Sequence, residues 1–263
     1  MPNLKILYAA SEIAPFVTTS SVAPFFRKLT QAMQHKVDLR ILVPKFGTIN
    51  TRKYNLHEVV RLSNIDIPIG EDLQTISVRV TSIQGIRLQV YFMDNELYFS
   101  RKHVFRDAAS NFFEDNDERL IFMCKSILET IKHLNWTPDI IHCHDWITSL
   151  VPYYLQQSAA TDPTLKDIKV IFNLYNTAFP ETLHADFVQK AGIADIAQSY
   201  PSIGFNELMQ IGAEYADVVA HSETTPLPET LTERITKDIR CINDDDEGIA
   251  QYHQIYQTLH SPV

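Results

Sequence analysis

Glycine is scarce in this chain, at 7 of 263 residues. A glycine-rich loop that lets backbone close on a phosphate is therefore hard to place. Cysteine is scarcer still, at 3, odd in number and without a CxxC pair. That pattern argues against a disulfide framework and against cysteine-based zinc or redox chemistry. Cys124, Cys143 and Cys241 read as reduced thiols, as in a cytoplasmic protein. No apolar run approaches ~18 residues, so no membrane span is expected. The opening "MPNLKILYAASE" lacks the basic region, apolar core and cleavage site of a signal peptide. A basic excess is also missing. Lys and Arg number 23 against 32 Asp and Glu, a net charge of −9. Neither nucleic acid nor an anionic membrane is expected as the main partner.

What is present is ordinary globular material, 45% hydrophobic and enough for one large domain or two small ones. Apolar β-type runs alternate with helical patterns. "KILYAA", "VDLRILVP", "DIIHCH", "IKVIFNLY" and "ADVVAH" read as strands. Residues 22–35, 115–134, 146–157, 205–215 and 227–239 read as helices, the third interrupted near its start by Pro152. Residues 56–93 read as short strands turning at Gly70 and Gly85, a hairpin excursion or side sheet. "NDDDEG" reads as a turn and helix start, and the final fifteen residues as a surface helix and tail. The fold class that follows is α/β, a doubly wound, mostly parallel sheet. Ligands in such sheets sit beyond the carboxyl ends of strands, near a switch in strand order. The residues to weigh are Ser11, Glu12, His142, His144, Asp145, Tyr175 and Asn176.

"HCHDW" places His142 and His144 on one side of an extended chain. The spacing suits a metal, with Asp145 as a helper, and would serve a metal-dependent hydrolase. The plainer reading is a packed, hydrogen-bonded His with Asp145 capping the next helix. It needs no further ligand and is preferred, so no metal is assigned. Glu12 and Asp145 both follow parallel strands and can meet across a cleft, for acid–base work or for holding sugar hydroxyls. Glu118 and Arg119 read as a capping and salt-bridge cluster. In "VTTSSV", Ser20 and Ser21 can cap the next helix, but they add Cβ atoms where glycine would let a phosphate approach, and no cation is present.

The ordered stretches "KILYAASEIAPF", "RILVPKFGTIN", "LQVYFMDNELYFSR", "DNDERLIFMCKSILE", "WTPDIIHCHDWITSLVPYYL", "KVIFNLYNTAF" and "GAEYADVV" resemble the N-terminal domain of bacterial glycogen synthases and plant starch synthases. These are family 5 glycosyltransferases of the GT-B type. The resemblance implies one Rossmann-like half of a two-domain enzyme that moves glucose from ADP-glucose to an α-1,4-glucan, with no cofactor. It implies a domain over residues 1–240, a helix and tail over 241–263, and no second, donor-binding domain. The family's Glu, Asp and Asn near the sugar and acceptor fall on Glu12, Asp145 and Asn176, with His142 and His144 in a matching motif. Trp146 or Tyr175 would stack on sugar faces. Two departures stand out. The family loop "KTGGLADV" is here "TTSSVAPF", putting Thr18 in place of Lys, Ser20 and Ser21 in place of Gly, and Pro24 in place of Asp. The family's "HN" is here Tyr175 and Asn176. The expectation is a domain inactive alone, an α-glucan binder, or a half that needs a partner chain to supply the donor domain. A face used for such a partner should expose apolar side chains.

Overall fold

The computed structural model describes residues 4–83, 85–86, 88–200, 202–222 and 226–260. Among these residues, ten strands run β1 Lys5–Ala9, β2 Asp38–Pro44, β3 His57–Glu58, β4 Ile65–Ile69, β5 Asp72–Ser82, β6 Gln89–Asp94, β7 Ile140–His144, β8 Lys169–Leu174, β9 Val218–Ser222 and β10 Ile239–Ile242. Eight α-helices are interspersed: α1 Val22–Met33, α2 Glu96–Phe99, α3 Asn116–His133, α4 Val151–Ala159, α5 Phe187–Ala191, α6 Phe205–Tyr215, α7 Glu229–Thr232 and α8 Asp246–His260. Among the described residues, no helix is long and apolar enough to cross a membrane.

The strand order is β10-β9-β8-β7-β1-β2-β6-β5-β3, with β4 paired to β5. From β10 to β6 every pairing is parallel. β1, β7 and β8 are almost wholly buried, which their apolar runs foretell. The chain builds outward from β1 through β2 to β6, then returns to place β7 on the other side of β1. The strand order therefore switches between β1 and β7, and a crevice opens beyond their carboxyl ends.

The stretch 56–93 is a hairpin excursion, but it is continuous with the main sheet. β4 and β5 form an antiparallel hairpin turning at Gly70, whose φ is +59°. β5 pairs antiparallel to β6, which joins β2 in parallel.

Three expectations are corrected. Residues 146–157 do not form one helix. Trp146–Thr148 is a 3-10 turn, and Pro152 lies in the first turn of α4, where its missing N–H leaves nothing unmade. Residues 227–239 give only the short α7, because the backbone from Ile239 pairs with β9 and extends the sheet. The final helix is not a surface element. It starts at the "NDDDEG" turn, where the Gly248 N–H donates to Asp245 Oδ1, and it buries Ile249, Tyr252, Ile255 and Tyr256.

Candidate functional site

Ser11 and Glu12 follow the end of β1 and Asp145 follows β7, so the switch brings all three to one cavity of about 640 Å³. Asn176 and Thr177 reach it from the end of β8, Ser20 and Ser21 from the loop before α1. A further wall comes from residues 103–112, a loop with no motif of its own: His103, Phe105, Arg106 and Phe112 line the cavity. Sequence reasoning missed this wall, as well as Thr177.

Asp145 is 2% exposed and sits at φ +72°, ψ +165°, a region that side chains other than glycine's rarely enter. Holding it there costs about 1–3 kcal/mol and needs over-determined surroundings. Those surroundings are visible. Its Oδ1 accepts the Trp146 N–H at 2.8 Å and the Thr177 hydroxyl, and its Oδ2 accepts the Ser11 hydroxyl at 3.2 Å. Burial nevertheless lifts the carboxyl from 3.8 to about 6, against these hydrogen bonds and with help from the charge of Glu12.

Glu12 is also 2% exposed, and the short loop wraps onto it. Its Oε2 accepts the Thr19 N–H at 2.5 Å and the Thr19 hydroxyl at 2.9 Å. Its Oε1 accepts the Ser20 hydroxyl. Ser20 Oγ also accepts the Val22 N–H, so Ser20 satisfies the start of α1. Ser21, expected as a cap, makes no side-chain capping bond. Thr18 is exposed and does not line the cavity.

His142, His144 and Tyr175 lie beneath the cavity and do not line it. Their polar atoms form a buried network. His142 Nε2 faces Asn173 Oδ1 at 2.9 Å, and this Asn gives its Nδ2 to the Tyr252 hydroxyl. The Asn oxygen can only accept, so Nε2 carries the proton. Nδ1 then accepts from the Tyr256 hydroxyl at 2.8 Å, which in turn accepts from Tyr8 at 2.8 Å. Burial lowers the His142 pKa to about 4 and that of His144 well below its usual value, so both rings are neutral. His144 Nδ1 is 2.8 Å from the Tyr175 hydroxyl, and its Nε2 has no partner. The two rings share one side of β7 with centroids 4.1 Å apart. With both nitrogens of His142 engaged, the pair does not offer two free ligand atoms.

The stacking roles expected of Trp146 and Tyr175 are not available to buried rings. Tyr175 is 2% exposed and tied to His144. Trp146 edges the cavity, but its ring is covered by Phe105, Phe112 and Phe179. The aromatic surface on offer is instead that of half-buried Phe112 and Phe105, with buried Phe179 stacked on Phe112 at 4.6 Å.

Arg119 is no surface salt-bridge residue. It is fully buried, donates to Asn116 Oδ1, and stands 5.5–5.6 Å from the rings of Phe46, Phe99, Phe105 and Phe113. Glu118 forms an ion pair with Lys190 at 2.7 Å, a partner the sequence reading did not name. Of the cations at the cavity rim, Arg106 is held by Glu181 through two bonds of 3.0 and 3.1 Å. The large exposed apolar side chains among the described residues are Val60, Leu73 and Leu97, and none lines the cavity.

Residues 5–240 match the family described as the starch synthase catalytic domain. The chain belongs to this family of glycogen and starch synthases. It is 35% identical over 236 residues to a glycogen synthase of Chlorobium luteolum, covering 89% of this chain and 48% of that protein. A glycogen synthase of Chlorobium phaeobacteroides is 42% identical over 176 residues, covering 66% of this chain and 36% of the other. The chain spans about half the length of the curated relatives it matches. Among solved structures, the catalytic domain of starch synthase IV from Arabidopsis thaliana, bound to ADP and acarbose, matches with a TM-score of 0.70 at 18% identity. That likeness covers 97% of this chain and 50% of the plant protein, and gives the fold as one half of a GT-B glycosyltransferase.

Proposed function

We propose that this glycogen-synthase-family domain binds a neutral α-glucan in the crevice between β1 and β7, and does not by itself drive glucose transfer from ADP-glucose. The observation that carries the reading is the closure of the Thr19–Ser20 loop onto Glu12. Loop hydroxyls that would face a diphosphate are turned inward to a carboxylate. Departure of a diphosphate needs fixed positive charge aimed at the developing negative charge, and losing one such donor typically costs ~2.7–4 kcal/mol. Here the loop offers Thr18, Ser20 and Ser21, and the Arg106 cation is neutralised by Glu181. A sugar needs different partners, and these are present. Asp145 and Asn176 offer polar contacts to hydroxyls, and Phe112 with Phe179 gives an apolar wall for a sugar face.

Calorimetric titration with maltoheptaose and, separately, with ADP-glucose tests the reading. The expected outcome is saturable glucan binding that weakens in Asn176→Ala, with no heat from ADP-glucose. Nucleotide binding without glucan binding would overturn it. A second reading is favoured by the match to about half of each relative's length. In it, this half takes part in glucose transfer once a donor-binding half is present beside it. Labelled glucose entering glucan only in a mixture of the two would support it.

A further inference from the structure

A second cluster of ionisable groups lies away from the cavity, between the start of α3 and the segment leading into α5. One carboxylate oxygen of Asp117, one ring nitrogen of His184 and one carboxylate oxygen of Asp186 all lie within 4.8 Å of one another. Asp117 is 2% exposed, whereas His184 and Asp186 face solvent. The Oδ1 of Asp117 accepts the Glu118 N–H at 2.7 Å, but its Oδ2 is buried with no hydrogen-bond partner. A buried, unpartnered carboxylate oxygen is costly and calls for a positive partner. The lysine nearby pairs with the neighbouring carboxylates Glu118 and Asp186. Lys190 Nζ lies 2.7 Å from Glu118 Oε1 and 3.0 Å from Asp186 Oδ2. Asp117, Glu118 and Asp186 thus set three negative charges against one ammonium, an excess that a divalent ion would cancel.

We propose that Asp117, His184 and Asp186 bind a divalent transition metal of the zinc class. One imidazole and two carboxylates form a mixed nitrogen–oxygen donor set of the kind zinc accepts, whereas magnesium and calcium prefer oxygen alone. Solvent exposure on one side leaves room for water to complete the shell. The role is structural. Asp117 belongs to α3, while His184 and Asp186 close the segment after β8 that carries Asn176, Thr177 and Phe179 to the cavity. A metal here ties that cavity wall to the longest helix.

The test is calorimetry of the full chain, stripped by chelator and titrated with zinc chloride, with circular dichroism to confirm folding. One equivalent of zinc is expected to bind and to raise the thermal midpoint. Asp117→Asn and His184→Gln should each weaken binding by roughly tenfold or more. Lys190→Met should tighten it, because the ammonium competes for Asp186. A purely structural ion-pair cluster would not show that gain. Equal affinity in Asp117→Asn, His184→Gln and the parent chain would overturn the proposal, as would the absence of saturable binding below about 1 mM.

Discussion

Asp145→Asn should stabilise the protein at neutral and alkaline pH and change little in acid. Burial raises the pKa of the Asp145 carboxyl. Its folded-state value of about 6 lies above the ordinary 3.8. Between these values the folded state holds more of the proton than the unfolded chain does. Stability contributed by this group is therefore greatest in acid, falls as pH rises through that window, and levels off above it. At about 1.4 kcal/mol per pH unit, the ionised form is penalised by at most about 3 kcal/mol. The amide removes that penalty and keeps the geometry. Its oxygen can accept from the Trp146 N–H and the Thr177 hydroxyl, and its NH2 can donate to Ser11 Oγ. Asn also tolerates positive φ better than most residues. The expected gain above the window is about 1–3 kcal/mol. Urea unfolding of both proteins from about pH 4 to about pH 8 gives the difference curve, in which His142 and His144 cancel. A difference that stays flat across the series would refute the reasoning. So would a parent chain that gains on the variant as pH rises.

Two further outcomes follow from the site and its floor. Thr18→Lys combined with Ser20→Gly and Ser21→Gly removes the Ser20 bond to Glu12 Oε1 and supplies a cation, and should tighten ADP binding by about tenfold, or about 1.4 kcal/mol, in calorimetry. No gain would mean that the loop's sequence does not limit nucleotide binding. Tyr256→Phe removes the hydroxyl that joins Tyr8 to His142 and leaves a buried ring nitrogen without a donor. It should lower the urea-derived stability by about 1–3 kcal/mol with little change in m-value.

The parts of the structure legible in the sequence are those set by short-range pattern. β1, β7 and β8 announce themselves as short, largely apolar runs, and the residues that follow them must project past the sheet's carboxyl edge. Glu12, Asp145 and Asn176 could be placed at one crevice on that ground alone. The loop carrying Phe105, Arg106 and Phe112 could not, because nothing local fixes which face it crosses. The exchange of roles among the aromatics has the same origin. Trp146 is a reasonable sugar platform until Phe105, Phe112 and Phe179 are seen to cover it. Residues 227–239 mislead for a different reason. Leu227, Leu231, Ile235 and Ile239 repeat at helical spacing, but α7 ends at Thr232 and β9 offers Ile239 an open edge.

The Tyr8–Tyr256 contact bears on how the protein is made. The two hydroxyls are 248 positions apart. A ribosome adds about 5–20 residues per second, so Tyr8 leaves the exit tunnel roughly ten seconds or more before its partner exists. Through that interval the sheet can form from β1 to β9, yet the Nδ1 of His142 and the Tyr8 hydroxyl have only water to bond, and the face awaiting α8 stays open. The floor of the crevice is thus completed late in synthesis, by a helix that the crevice itself never touches. A nascent chain stalled before α8 would carry every cavity-lining residue and still lack the support beneath them. It would present the apolar surface that chaperones and proteases recognise.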